Sequence, residues 1–180
     1  TTPFTGKHMI SSSAVITGWR MTAPMVAAVQ AAKEIQDKRV IVLQTKTIPQ
    51  GISALFAFDE TATPEENEQY MTESVAGVKS FSLTYAVHDS TADGMDIKTG
   101  QSLGLLDGKV RFYADTDKEC LMQMVKEMES GTTVTIFYGE DVTAEQAEEV
   151  RQLFAKALPM ADVTMLPGGQ PVYKYILMCE

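Results

Sequence analysis

The chain has 180 residues, 44% hydrophobic and 22% charged, with a formal net charge of −9. That length suits one large domain or two small ones sharing an interface, and the composition supports a packed core rather than disorder. The negative charge argues against general nucleic-acid binding, and apolar runs as short as 54–58 exclude a membrane span.

In chain order, residues 9–16 read as a first strand, and Thr22 followed by Pro24 starts a helix over 23–36. A continuous apolar run at 40–43 has the pattern of a strand buried on both faces. An apolar, helix-like stretch follows at 52–58. Thr63, Pro64 and Glu66 place an N-cap, a first-position proline and a capping-box partner ahead of a helix over 64–78. Residues 81–87 alternate, putting Phe81, Leu83, Tyr85 and Val87 on one strand face. Asp107-Gly108 joins strands at 103–106 and 110–113 as a hairpin.

Thr116 with Glu119 repeats the capping box before a helix over 117–129, whose apolar stripe is Cys120, Leu121, Met124, Val125 and Met128. A strand at 133–138 follows. Thr143 with Gln146 then caps a helix over 144–157 that turns Ala147, Val150, Phe154 and Ala157 to one side. Strands at 162–166 and 172–178 complete the chain. This order defines an α/β fold: a mixed sheet with flanking helices and an antiparallel strand insertion, with room for two lobes. The domain reading is an α/β lobe over 1–90, an antiparallel strand meander or hinge over 91–115, and a second α/β lobe over 116–180.

Cys120 and Cys179 have neither metal nor redox spacing, which favours a reducing compartment. No basic start followed by an apolar run and a small-residue cleavage site is seen at the N-terminus, so a cytoplasmic location is expected. Charge is uneven: residues 1–46 carry six Lys or Arg against Glu34 and Asp37, a net of +4, leaving −13 for the rest. That asymmetry fits either a local basic surface for an anionic ligand or acidic partner, or ordinary surface variation.

For catalysis, there is no G-x-S-x-G elbow and no cysteine with a histidine partner in sequence context. His88 beside Asp89 is a conceivable acid–base pair, although adjacent strand residues point to opposite faces. Asp89, Asp93 and Gly94 match the opening of a calcium loop, but the twelfth position is Gly100 rather than glutamate. Zinc lacks ligands altogether, so no metal site is expected. The run from Gly104 to Lys109 is one residue short of a phosphate loop and lies between strands, where no helix follows to converge its amides on an anion.

Two segments remain. Thr45, Lys46, Thr47, Gln50 and Gly51 follow the apolar run at 40–43, at what would be a carboxyl-terminal strand edge. Gly168, Gly169, Gln170, Tyr173 and Tyr175 follow Pro167 in a second loop, whose glycines are expected at positive φ. Each reads equally as a partner or ligand loop and as a connection the fold itself requires.

Together T-K-T-I-P-Q-G at 45–51, T-Y-A-V-H-D-S at 84–90, L-G-L-L-D-G-K at 103–109, F-Y-G-E-D at 137–141 and G-G-Q-P-V-Y-K-Y at 168–175 resemble the C-terminal domain of bacterial fatty acid kinases, a family long described as dihydroxyacetone-kinase-like. The likeness covers roughly 25–180. The chain departs from the family at His88, where arginine is usual, and at Thr17-Gly18-Trp19-Arg20-Met21, where the family has an asparagine-rich turn.

The resemblance implies one C-terminal module of a larger kinase, with ATP and Mg²⁺ held on a separate domain and no cofactor in this chain. A DegV-type protein would present the fatty acid whose carboxylate becomes an acyl phosphate, and this module would dock that carrier without catalysing. Lys46, Gln50, Gln170, Tyr173 and Tyr175 would be the leading contacts, with His88 and Asp89 weaker candidates. The alternative is a small-molecule-binding enzyme or sensor of the dihydroxyacetone kinase type, using the Lys46 loop. Its family binds substrate covalently through a histidine, and only His8 and His88 are available here. A purely structural dimerisation domain is a third option, and the resemblance also leaves room for a homodimer formed through the full-length protein.

Overall fold

The computed structural model describes residues 41–92, 94–128 and 133–180. The expected strand at 9–16 and helix at 23–36 lie outside them. The chain divides into two compact units, Thr1–Ala76 and Gly77–Glu180.

In the first unit, α1 spans Ile48–Phe56 and α2 begins at Pro64 and runs to Gly77. The strand expected at 40–43 is not formed by its described part: residues 41–46 belong to no element. Four apolar residues without alternation do not distinguish a strand from any other covered segment. A strand also needs a neighbour for its amides, and none of the described strands pairs with this run. Thr47 caps α1 instead, accepting from the Gln50 amide at 3.3 Å. Ahead of α2 the expected capping box is complete. Glu66 Oε2 accepts from the Thr63 amide at 2.8 Å, and the Glu66 amide donates to Thr63 Oγ1 at 3.2 Å. Buried Asn67 fixes the preceding turn, its amide group donating to Asp59 O at 2.7 Å and its oxygen accepting from the Asp59 amide at 2.8 Å. Ser53 and Ser74 join the two helices through their hydroxyls.

The second unit is built on six strands ordered β5-β4-β1-β8-β6-β7. They are β1 (Lys79–Tyr85), β4 (Ser102–Leu106), β5 (Lys109–Ala114), β6 (Thr133–Tyr138), β7 (Asp162–Pro167) and β8 (Tyr175–Cys179). Between β1 and β4, β2 (Ser90–Ala92) and β3 (Met95–Ile97) form a separate two-stranded ribbon. Among the described strands only β6 and β7 run parallel, joined by α4 (Ala144–Ala157) as a crossover. The segment 91–115, read from sequence as a meander or hinge, therefore supplies two strands of this sheet, β4 and β5.

The β4–β5 turn has Asp107 at φ 49° and Gly108 at φ 79°, the left-handed pair that a two-residue hairpin of type I′ requires. α3 (Asp117–Val125) is shorter than the expected helix over 117–129, with 126–128 continuing as turns. It packs on β1, β4 and β5, while α4 packs on β7 and touches α3. Between helices and sheet lie Phe81, Leu83, Leu121, Met124, Ile136, Phe154 and Leu177, each at most 1% exposed. Thr143 and Gln146 form the expected reciprocal capping box before α4.

Two strand expectations are corrected. β1 spans Lys79–Tyr85 rather than 81–87, so Tyr85 shares the face of Phe81 and Leu83 but is exposed at the strand's end, and Val87 lies beyond the strand. β8 starts at Tyr175 rather than 172, because 168–174 is looped over the end of β6.

Cys120 and Cys179 are free and buried. Burial pushes both thiols from the ordinary 9.0 up to about 12, with Asp117 adding to the effect at Cys120. Neither should react with a disulfide reagent at pH 8 until the chain unfolds, and rapid labelling of the native protein would contradict this. Folded thiols that hold their protons to higher pH than unfolded ones stabilise the fold fully below pH 9. That contribution is lost as pH rises towards about 12. An alkaline fall in urea midpoint, weaker after Cys120→Ala, is the expected signature.

Candidate functional site

The two sequence-predicted loops belong to different units, and each is a hydrogen-bonded local structure. In the first unit Thr47 and Gln50 are engaged in the cap of α1, where Gln50 Oε1 also accepts from the Lys46 amide at 2.8 Å. Gly51 is buried inside α1, whereas Lys46 is exposed. The Thr45 hydroxyl is buried with no hydrogen-bond partner among the described residues.

In the second unit, 168–174 is strapped across the carboxyl end of β6. The amides of Gly168 and Gly169 both donate to Tyr138 O, at 2.9 and 3.1 Å. Gly139 N donates to Lys174 O at 2.8 Å, and Glu140 N to Gln170 O at 3.2 Å. The Gln170 side chain donates to Phe137 O at 3.0 Å and Tyr173 O at 3.3 Å, so it holds the loop rather than projecting from it. Gly169 has the expected positive φ of 62°, but Gly168 does not. At Gly168 it is space that is lacking, since an added Cβ would lie 3.0 Å from the Phe137 Cβ and closer still to Gln170 Oε1. The tip is strained: Val172 has φ 72°, and Tyr173 N bonds to Pro171 O at 2.8 Å, closing a three-residue turn of the rare hand.

Where this loop enters β8 it meets the start of α3. Asp117 accepts from Ser102 Oγ at 2.5 Å and pairs with Lys174 Nζ at 2.5 Å. Tyr175 is 4% exposed. Burial, then the charges of Asp117 and Glu149, raise its phenol to about 12, so it keeps its proton at neutral pH. Beside it a groove of about 470 Å³ lies between α3 and α4. Its apolar wall is Leu121, Val142, Val150 and Leu153, and its polar rim includes Asp117, Lys118, Asp141, Gln146, Glu149 and Lys174.

Sequence reasoning missed Ser102, Asp117, Lys174, Asp141 and Glu149. Lys174 lies inside the 168–175 motif, where the neighbouring tyrosines are the more conspicuous contacts. Asp117, just after the Thr116 cap, looks like an ordinary first-turn acid complementing a helix dipole.

His88 and Asp89 are both exposed. Asp89 accepts from Thr99 N and Thr99 Oγ1, each at 2.8 Å, and these bonds hold its carboxyl below the usual range. No hydrogen bond joins it to His88 among the described residues. Nor do the described residues contain a group of three or more His, Cys, Asp or Glu placed to hold a metal, or a helix long and apolar enough to cross a membrane.

The second unit is thus a six-stranded mixed α/β sheet flanked by helices. By its sequence the chain belongs to the FakA-like C-terminal family of fatty acid kinases, whose model matches residues 21–180. It is 35% identical over 158 residues to Protein YloV of Bacillus subtilis (strain 168) and 37% identical to an uncharacterized protein of Staphylococcus aureus (strain USA300). Each alignment covers 87% of this chain but only 29% of the relative, so the chain spans under a third of the curated proteins it matches.

Solved structures share the fold at low identity. A DegV family protein from Corynebacterium glutamicum superposes with TM-score 0.62 at 16% identity, over 86% of this chain and 67% of that one. A DegV family protein from Eubacterium eligens loaded with heptadecanoic acid gives 0.62 at 18%, over 87% and 66%. The fatty acid kinase B3 protein of Streptococcus pneumoniae loaded with linoleic acid gives 0.61 at 13%, over 91% and 68%.

Proposed function

We propose that this chain is the carrier-docking domain of a fatty-acid-kinase-like protein, one C-terminal module of a longer chain. It binds a DegV-type protein loaded with fatty acid and is not itself catalytic. ATP and Mg²⁺ are held on a kinase domain outside these residues, where the fatty acid carboxylate is converted to an acyl phosphate. The reading includes a cytoplasmic location and a homodimer formed through the full-length protein.

The observation that carries it is the family match over 21–180. The chain's 29% share of its relatives' length leaves ample sequence elsewhere in such proteins for nucleotide chemistry. The strapped loop at 168–174 adds a rigid, partly aromatic surface of the kind that suits protein contacts. The test is binding of a fatty-acid-loaded DegV-type protein to the immobilised 180-residue chain. Saturable micromolar binding is expected, and no signal at high micromolar carrier would sink the reading.

A further inference from the structure

We infer that the groove between α3 and α4 is where the carrier docks, and that it receives a basic side chain, arginine or lysine, from the carrier's surface. The alkyl stem lies over Leu121, Val150 and Leu153, and the cation sits among Asp141, Glu149 and the Tyr175 hydroxyl. The inference rests on the docking reading above and gives that reading a place and a chemistry.

Tyr175 is the first indication. A buried phenol ordinarily finds a hydrogen-bond partner. This one belongs to a residue only 4% exposed that lines the groove, and with no hydrogen-bond partner among the described residues its hydroxyl opens onto the groove rather than being buried. Its unused oxygen is therefore available to a group that enters from outside.

Charge decides which group. Lys174 and Asp117 neutralise each other at 2.5 Å. Asp141 and Glu149 line the same groove with no ion-pair partner among the described residues, facing only Lys118 as a further cation. Glu140 and Glu145, next in sequence to the lining residues Asp141 and Gln146, are exposed acids as well. An anionic ligand would be repelled here. A purely apolar one would strip water from the two carboxylates without replacing its hydrogen bonds. A long basic side chain satisfies both halves, with its stem on the apolar wall and its charged head at the acidic rim. About 470 Å³ exceeds one side chain and leaves room for the flanking residues that present it.

The experiment measures affinity of the fatty-acid-loaded DegV-type protein for the unaltered chain, Glu149→Lys, Glu149→Gln and Tyr175→Phe, at two salt concentrations. Glu149→Lys should weaken binding roughly tenfold or more and flatten its salt dependence, with Glu149→Gln between. Tyr175→Phe removes one oxygen and keeps the ring, and should weaken binding roughly threefold. A carrier Arg→Glu or Lys→Glu variant that binds Glu149→Lys better than the unaltered chain would identify the incoming residue. If the carrier binds all the chain variants within twofold, the groove assignment is overturned while the docking reading stands. If it does not bind the unaltered chain, both fall. If Glu149→Lys alters the chain's own sedimentation instead of carrier affinity, the occupant is a second copy, and the assignment to the carrier is wrong.

Discussion

Gly139→Ala is expected to destabilise the second unit by about 3 kcal/mol, a large overpacking cost with no polar group removed. An added Cβ would lie 2.8 Å from Gln170 O and closer still to Tyr173 O. Both are backbone atoms, so no flexible side chain can swing aside. The loop would have to lift, and lifting it threatens the Gly139–Lys174 and Glu140–Gln170 backbone bonds together. Gly169→Ala is the matched control. Its φ of 62° disfavours a side chain, but nothing lies within 4 Å of the added Cβ. That substitution should cost only about 1 kcal/mol. Urea midpoints would rank the two, and equal losses would mean that the loop is not held by close approach to β6.

That contact also marks the boundary of what sequence could reveal. The caps at Thr63, Thr116 and Thr143 and the Asp107-Gly108 turn are legible because each depends on residues at most three apart, whose chemistry is the same in any fold. Phe81 and Leu83, or Leu121 and Met124, reveal a core face through the period of a single element. The apolar run at 40–43 carries no such period, and what it would pair with is not local information. Gln170 shows the same limit from another side. An amide in a glycine-rich loop reads as a contact, yet one of its hydrogen bonds runs 33 residues back to Phe137. Asp117 joins Ser102 and Lys174, 15 and 57 residues away, so the groove exists only once β8 has entered the sheet beside β1 and β6. Side chains brought together by strand order are invisible to a reading that proceeds along the chain.

Phe154→Ala should be the most damaging truncation in α4, at about 4 kcal/mol against a total stability on the order of 5–15 kcal/mol. Phe154 is fully buried, and Ala147 is the only other buried residue of the helix. Val150, Leu153 and Ala157 pack against the core only partly covered. Most of the anchoring of α4 therefore passes through one ring. The same helix carries Gln146, Glu149, Val150 and Leu153 of the groove. Loosening it should lower carrier affinity even though Phe154 is not among the groove residues. Phe154→Leu, which fills most of the space, should lose less stability and serves if the alanine variant does not fold. Hydrogen exchange should rise across Ala144–Ala157 before it rises in β1 or β8. Tyr175→Phe makes the opposite prediction, with affinity reduced and the urea midpoint nearly unchanged. A helix held by one ring and a groove read by one hydroxyl are separable in this pair of variants. If affinity instead followed stability in both, the groove would be scaffold rather than recognition surface.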